Sequence, residues 1–319
     1  MRKLVVALSG LTGEEKKSIQ EMAERYGLNP LFFERPEDAL EEVRDAEIVF
    51  GQGTLLTERA EHLSWCCTPF AGVEPYLRPG AFASPDAILT NSSGAYGVTI
   101  SEHIVMVTLE MMRREGEYRE IVAGKGWRRD LPIRSIHGSR VLLFGTGDIG
   151  RETAKRLRAF SPKWIRGVNR SGRATEGIDS TATMDAMDQL LPETDLLIMS
   201  LPSTAETKRV MNADRLALLP EGAFLVNVGR GSALDEEALC ALLRSGRLGG
   251  AALDVFDTEP LPEHSPLWSC PRLHITPHVA GNMTLSFTRA QIVRQFLENL
   301  DRYGRGEELL HVVDRKRGY

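Results

Sequence analysis

The sequence is poor in the features that mark several large classes of protein. It holds only four cysteines in 319 residues, none of them in a CxxC pattern, whereas a secreted disulfide scaffold would be shorter and denser in cysteine. No apolar run approaches the roughly 20 residues that span a bilayer. With 39 basic and 44 acidic residues, the net charge of −5 disfavours a coat for nucleic acid or for an anionic membrane. We therefore expect a cytoplasmic protein with buried, reduced cysteines that binds neither nucleic acid nor membrane.

The chain does have the composition of a globular protein and room for two domains. Hydrophobic residues make up 42% of it, and roughly 150 residues per domain gives about two domains. Short apolar runs alternate with amphipathic stretches such as 12–26 and 235–245. The runs predicted as strands are 3–8, 47–50, 140–144, 164–168, 195–200, 223–228, 251–255 and 273–276. This alternation predicts βαβ units and therefore an α/β fold with doubly wound parallel sheets.

Two longer stretches have the apolar spacing of helices. The stretch 99–114 opens with Thr99-x-x-Glu102, which predicts a capping box, and its wide apolar face predicts burial between domains or subunits. The stretch 284–300 repeats that spacing. Residues 116–132 are polar and rich in glycine, so we expect an exposed connection there.

A glycine-rich motif follows the predicted strand 140–144 and precedes a helix-like stretch at 151–160. It contains Gly145, Gly147 and Gly150 in the spacing GxGxxG. In such a motif the first glycine permits a tight turn, the second lets a pyrophosphate approach the backbone, and the third lets the helix pack near the strand. Because the strand and helix context is present, the motif predicts a dinucleotide site.

The residues after the next predicted strand bear on which dinucleotide is bound. An NAD site usually has an acidic residue roughly 20 positions after the glycine motif, where it binds the ribose 2′-hydroxyl. Here that region holds no carboxylate but Asn169, Arg170, Ser171 and Arg173. Guanidinium groups suit a 2′-phosphate, to which they donate bidentate hydrogen bonds. We predict that NADP(H) is preferred and that NAD(H) is possible; the alternative is that the two arginines only face solvent.

Three predicted strands in the same half are followed by residues of catalytic type. Arg230 follows one strand, Glu259 follows the next, and His278 follows the third. Ligands of open α/β sheets bind outside the carboxyl ends of the strands. We therefore expect these three side chains on one side of one sheet.

The chain resembles the D-isomer-specific 2-hydroxyacid dehydrogenase family. The motifs that carry the resemblance are GTGDIG at 145–150, LPSTAET at 201–207, NVGRG at 227–231, DVFDTEP at 254–260 and TPHVAG at 276–281. They occur in the family's order, and with supporting segments at 70–74, 91–97, 101–103 and 313–319 they cover nearly the whole length.

The resemblance implies an architecture of two Rossmann-like domains. Residues 1–98 plus 284–319 would form a discontinuous, flavodoxin-like substrate domain, and residues 99–283 would form the NAD(P)-binding domain. It also implies a homodimer formed through the cofactor domain, and it implies no metal.

The resemblance further implies hydride transfer between a nicotinamide cofactor and C2 of a small 2-oxo or D-2-hydroxy acid such as glyoxylate or hydroxypyruvate. Arg230 would bind the substrate carboxylate, His278 would be the general acid or base, and Glu259 would orient its imidazole. The other substrate-binding residues would be Ala71, Gly72 and Val73. The candidate cofactor-binding residues are Gly145, Thr146, Gly147, Asp148, Ile149, Gly150, Asn169, Arg170, Ser171, Arg173, Leu201, Pro202, Thr207, Val228, Gly229, Asp254 and Gly281.

Other readings of the sequence stay open. Within the enzymes, D-lactate or phosphoglycerate dehydrogenase activity is an alternative; outside them, the family's fold includes dinucleotide-sensing corepressors. The full trio of Arg230, Glu259 and His278 favours an enzyme. Glu259 also argues against formate oxidation, because formate dehydrogenases have an amide beside the histidine. His103, on the long helix, we expect to be structural.

Overall fold

The computed structural model describes residues 2–318 and divides the chain into two compact units. The first unit comprises the residues up to Ala95 together with those from Met283 onward, and the second is Tyr96–Asn282. The sequence-based boundaries, at 98/99 and 283/284, lie close to these divisions. The first unit is thus discontinuous in sequence.

The elements alternate along the chain between strands and helices. The strands are β1 Arg2–Ala7, β2 Leu28–Phe33, β3 Ile48–Gly51, β4 Trp65–Cys67, β5 Ile88–Thr90, β6 Arg140–Phe144, β7 Trp164–Val168, β8 Ser180–Ala182, β9 Leu196–Met199, β10 Phe224–Asn227, β11 Gly250–Leu253 and β12 Leu273–Ile275. The helices are α1 Gly13–Arg25, α2 Thr54–Thr57, α3 Gly97–Arg113, α4 Glu115–Ala123, α5 Asp148–Arg158, α6 Met187–Leu190, α7 Ala213–Leu218, α8 Glu236–Arg244 and α9 Ser286–Arg305.

Each unit is built on a parallel sheet. In the first unit the strand order is β2-β1-β3-β4-β5, which is the flavodoxin-like order. In the second unit the order is β12-β11-β10-β9-β6-β7-β8, and the order reverses between β6 and β9. Apart from Arg140 at the start of β6 and Asn227 at the end of β10, the central strands β6, β9 and β10 are apolar and buried, as expected where helices cover both faces of a parallel sheet. The predicted α/β fold with doubly wound sheets is confirmed.

The predicted start of the long helix α3 is wrong. The helix begins at Gly97, so Thr99 and Glu102 lie inside it and do not form a capping box. Its first turn is capped from another element, because the Asp148 carboxylate accepts a hydrogen bond from the backbone N–H of Gly97. The first turn of α3 is therefore capped by a side chain of α5 and not by the predicted capping box.

Much of the apolar face of α3 is buried within the second unit itself, where the helix packs on α5, β10 and β11, whereas Met106 of the same helix is exposed. Burial of this helix between domains or subunits stays a prediction. The stretch 116–132 is not a simple connection, because α4 occupies its first part. The later helix α9 also extends to Arg305, beyond the predicted end at residue 300.

The four cysteines are buried, and their thiols are free, as the sequence predicts. Burial raises the pKa of the Cys67 thiol to about 12, which keeps that thiol protonated and unreactive at neutral pH. Within residues 2–318, no helix is both long enough and apolar enough to cross a bilayer.

Candidate active site

The glycines of the loop between β6 and α5 meet different steric needs. Gly145 has a φ of +98°, and a Cβ on it would lie 2.8 Å from Ser200 Oγ. A Cβ on Gly150 would overlap the carbonyl oxygen of Gly145. Gly147, the N-cap of α5, has open space where a Cβ would be. Two glycines therefore hold the loop compact, and the third leaves room for a bound group.

Backbone donors at the start of α5 are available to a ligand. Within the described part of the chain, the N–H groups of Thr146, Gly147, Asp148 and Ile149 donate no hydrogen bond. A helix N-terminus with free N–H groups attracts phosphate. The open space at Gly147 and these donors fit the pyrophosphate of a dinucleotide. The Asp148 side chain points to α3, so this residue could bind a cofactor only through its backbone.

Asn169, at the end of β7, organises the loop that carries two arginines. Its Nδ2 donates to Thr146 Oγ1 (2.9 Å) and to the carbonyl oxygen of Arg173 (3.0 Å), while its Oδ1 accepts from the Ser171 N–H (3.1 Å). The side chains of Arg170 and Arg173 are exposed. Asn169 therefore joins the glycine loop to the predicted 2′-phosphate site.

Hydrogen bonds of Thr207 fix the conformation of the segment after β9. Thr207 Oγ1 donates to the carbonyl oxygen of Pro202 (2.7 Å) and accepts from the Thr204 N–H (2.9 Å). At the start of this segment, Leu201 lies against Gly229, where a Cβ would be 2.6 Å from the Leu201 nitrogen. The predicted cofactor-binding residues Leu201 and Gly229, which follow β9 and β10, therefore lie so close that a side chain at position 229 would not fit.

The loop that carries Arg230 packs tightly against its neighbours on both sides. Asn227, fully buried at the end of β10, accepts from the Gly229 N–H (3.1 Å) and donates to the carbonyl oxygen of Arg230 (3.0 Å). A Cβ on Gly231 would overlap the backbone of Phe256, which follows β11. This contact brings the Arg230 loop against the segment that leads to Glu259.

Glu259 and His278 form a direct pair. Glu259 Oε2 lies 2.7 Å from His278 Nδ1, and Glu259 Oε1 accepts a hydrogen bond from the Phe256 N–H (2.9 Å). The His278 side chain is 52% exposed and that of Glu259 is 34% exposed. The carboxylate is therefore fixed at both oxygens, and the imidazole that it orients stays accessible to a small molecule.

His278 lies in a strained loop that Asp254 supports. Its φ is +53°, in the left-handed region that residues other than glycine rarely adopt. The His278 N–H donates to the Asp254 carbonyl oxygen (2.8 Å), and the buried Asp254 carboxylate accepts the N–H groups of Val279 (2.9 Å) and Ala280 (3.0 Å). Thr276, which the sequence did not single out, also bonds to this carboxylate.

The predicted residues of the second unit are thus gathered at the carboxyl ends of its strands. Arg230 follows β10, Glu259 follows β11, and His278 follows β12, three neighbouring strands of the sheet. Val228 lies buried directly after β10, and Gly281 lies beyond His278. Among residues 2–318, no cluster of His, Cys, Asp and Glu has the arrangement of a metal site.

Ala71, Gly72 and Val73 belong to the first unit and follow β4. Asn91 Nδ2 donates to the Ala71 carbonyl oxygen (2.8 Å), which fixes the course of this loop. In the part of the chain that the structure describes, the three backbone N–H groups donate to no acceptor. Consecutive free N–H groups of this kind suit an anion such as a carboxylate.

Comparisons with known proteins identify the family of the chain. The sequence model of the D-isomer specific 2-hydroxyacid dehydrogenase NAD-binding domain matches residues 105–280. The chain is 35% identical over 224 residues to a glyoxylate/hydroxypyruvate reductase A of Salmonella paratyphi B, covering 70% of each chain.

Two solved structures are similar over almost their whole length. A D-isomer specific 2-hydroxyacid dehydrogenase family protein from Aeromonas salmonicida has a TM-score of 0.87 and 33% identity, with 98% of this chain and 99% of that one covered. An NADPH-dependent glyoxylate/hydroxypyruvate reductase from Sinorhizobium meliloti, solved with NADP and sulfate, has a TM-score of 0.83 and 29% identity, with both chains fully covered. The chain therefore belongs to the D-isomer specific 2-hydroxyacid dehydrogenase family and is an NAD(P)-dependent oxidoreductase.

Proposed function

We propose that this enzyme reduces a small 2-oxo acid, glyoxylate or hydroxypyruvate, with NADPH as the preferred cofactor. The observation that carries the proposal is the 2.7 Å pair of Glu259 and His278 beside the loop of Arg230. The relatives named as glyoxylate/hydroxypyruvate reductases support the choice of substrate. In this proposal the second unit is the cofactor domain and the first is the substrate domain.

The chemistry of the reduction is divided between cofactor and protein. When bound, the reduced nicotinamide supplies the hydride to C2 of the 2-oxo acid. His278 supplies the proton from Nε2 to the carbonyl oxygen, which becomes the hydroxyl group. Glu259 holds Nδ1 of the imidazole, so that Nε2 faces the substrate. In the oxidative direction the same Nε2 accepts the proton.

Arg230 binds the substrate carboxylate in the proposal. It donates a charge-assisted pair of hydrogen bonds to the carboxylate, which orients the neighbouring carbonyl. A substrate without a carboxylate would lose these bonds and should react poorly. In the first unit, the free N–H groups of Ala71, Gly72 and Val73 are the proposed donors to an anion.

The preference for NADPH rests on the loop after β7. That loop offers the exposed guanidinium groups of Arg170 and Arg173, the Ser171 hydroxyl and the Asn169 amide, and it places no carboxylate at the end of β7. A carboxylate there would repel a 2′-phosphate, whereas arginine binds it. The Sinorhizobium meliloti reductase, which is described as NADPH-dependent, has the same fold.

Steady-state kinetics with both cofactors and a panel of 2-oxo acids tests the proposal. We expect kcat/KM to be at least about tenfold higher with NADPH than with NADH, and Arg173→Gln to narrow that ratio by raising KM for NADPH alone. A higher kcat/KM with NADH would overturn the cofactor preference. Lack of turnover with every 2-oxo acid, while NADPH still binds, would favour a dinucleotide sensor instead.

We also infer a homodimer formed through the cofactor domain. Four apolar side chains on α3, α4 and the chain that follows are exposed, namely Met106, Val122, Trp127 and Ile133. Such side chains are candidates for burial by a second copy. Sedimentation equilibrium should give twice the mass of the chain, and a monomer at micromolar concentration would contradict this inference.

A further inference from the structure

A buried polar network lies behind the loop that carries His278. At its centre is Asp254, which is 3% exposed. Its Oδ1 accepts from Thr276 Oγ1 (2.6 Å) and from the Val279 N–H (2.9 Å), and its Oδ2 accepts from the Ala280 N–H (3.0 Å). The carboxylate therefore binds the loop on both sides of His278.

The network continues from Thr276 to the long helix α3. Because the Thr276 hydroxyl donates its hydrogen to Asp254, its oxygen has lone pairs left to accept another bond. His103 Nε2 lies 3.4 Å from that oxygen. Burial lowers the pKa of His103, and the opposing charges of Asp254 and Glu110 do not offset this. A neutral His103 with its proton on Nε2 completes the chain of donors and acceptors.

This arrangement explains how His278 keeps an unfavourable backbone conformation. A histidine with a φ of +53° persists only where its surroundings determine it. Here the hydroxyl of Thr276, two residues before His278, the His278 N–H and the two following N–H groups are all bound to Asp254, through its carbonyl or its carboxylate. Loss of the carboxylate bonds would let the loop relax, and the imidazole would move from Glu259.

We infer that Asp254, Thr276 and His103 form a positioning network for His278. The inference rests on the proposed function, in which His278 is the proton donor. Asp254 was predicted to bind the cofactor, but its burial and its bonds fit the support of the His278 loop better. His103, expected to be structural, becomes the outer member of the network.

A matched pair of substitutions at Thr276 tests this network. Thr276→Val has nearly the same shape but no hydroxyl, whereas Thr276→Ser keeps the hydroxyl. We expect kcat to fall about tenfold or more in Thr276→Val, with KM for the 2-oxo acid and the Kd for NADPH within about twofold of wild type. Thr276→Ser should restore kcat to within about twofold of wild type. Equal kcat in wild type and Thr276→Val would overturn the inference.

The contribution of His103 is tested by a double-mutant cycle. His103→Phe fills a similar volume without a donor, and its effect on kcat should largely disappear when Thr276 is already valine. If the effects of the two substitutions on kcat were strictly additive, His103 would not belong to the network.

A spectroscopic measurement separates this inference from the proposed function. The ¹⁵N chemical shifts of the His278 imidazole report which nitrogen carries the proton, and they require no turnover. We expect the neutral imidazole, which is the form left after proton donation from Nε2, to carry its proton on Nδ1, facing Glu259, in the wild type and in Thr276→Ser. In Thr276→Val we expect a mixture of both neutral tautomers. If the wild type shows no 2-oxo acid reduction, the proposed function fails while this measurement still tests the network. Identical shifts in wild type and Thr276→Val would overturn the network itself.

Discussion

At the scale of single residues, the site depends on side chains that hold each other in place. The sequence identifies Glu259 and His278, because both stand in motifs after predicted strands. It does not identify their support. The bonds from Asp254 to the loop around His278 depend on a left-handed backbone turn, and no pattern of residue types specifies that conformation. The contact between His103 and Thr276 joins residues far apart in the chain and is equally hidden from the sequence.

The role of Glu259 gives a prediction at this scale. Glu259→Gln keeps the size of the side chain but removes the carboxylate oxygen that holds Nδ1 of His278. We expect kcat for the reduction to fall about tenfold to hundredfold, within the range that positioned acid–base catalysis supplies, with little change in the Kd for NADPH. Glu263→Gln, at an exposed position nearby, is the control and should retain wild-type kcat. Wild-type turnover in Glu259→Gln would contradict the role given to this carboxylate.

At the scale of elements, β6 and β7 of the second sheet are the best predicted strands. Their bounds agree with the predicted runs 140–144 and 164–168. After Arg140, β6 is apolar and buried, as expected of a parallel strand covered on both faces. The sequence does not predict β2, β4, β5 and β8. Three of these, β2, β5 and β8, are edge strands, and three, β4, β5 and β8, are only three residues long, so their sequences show little periodicity. The sequence also does not predict α4, which buries none of its residues.

The close contact between the Arg230 loop and the segment after β11 gives a prediction at the scale of elements. A Cβ on Gly231 would overlap the backbone of Phe256, so Gly231→Ala must push the Arg230 loop away from the segment that leads to Glu259. Overpacking of this kind costs about 1–3 kcal/mol. We expect a lower midpoint of thermal unfolding and a reduced kcat. Gly13→Ala, where a Cβ would meet nothing within 4 Å, should change neither, and equal behaviour of the two variants would argue against the tight loop contact.

The link between β6 and β9 gives a prediction about pH. Arg140 donates to Asp195 from its backbone N–H (2.8 Å), from Nε (3.0 Å) and from Nη2 (2.9 Å). Burial opposes ionisation of the carboxyl, but the bonds from Arg140 outweigh it and hold the pKa of Asp195 below its ordinary value. Because the folded-state pKa is the lower one, this stabilisation is present above the unfolded pKa of about 3.9. It is lost as the pH falls through the folded-state pKa.

Urea denaturation of Asp195→Asn measures this contribution. We expect the free energy of unfolding at neutral pH to fall by at most about 1 kcal/mol, since the pair is partly exposed and screened by solvent. The difference from wild type should shrink below about pH 4, where the carboxyl of the wild type becomes protonated. Asp185→Asn, at an exposed position, is the control. A difference that grows in acid would contradict the sign of this shift.

At the scale of the whole molecule, the chain consists of two α/β units, and each has its own parallel sheet. The alternation of strands and helices predicted this class of fold, and the motifs predicted the family. The strand order of the first unit could not be derived from its residues, because short strands of similar composition fit more than one order. The order is set by which buried faces pack together, a property of the folded chain.

The central claim is that His278 donates the proton when NADPH reduces a 2-oxo acid. The most direct measurement compares NADPH oxidation with hydroxypyruvate in the wild type and in His278→Ala, together with NADPH binding by each. We predict turnover in the wild type and a loss of kcat of about 10²–10⁴-fold in the variant, with the Kd for NADPH nearly unchanged. Wild-type turnover in His278→Ala, or a loss of activity that is matched by a loss of NADPH binding, would contradict the claim.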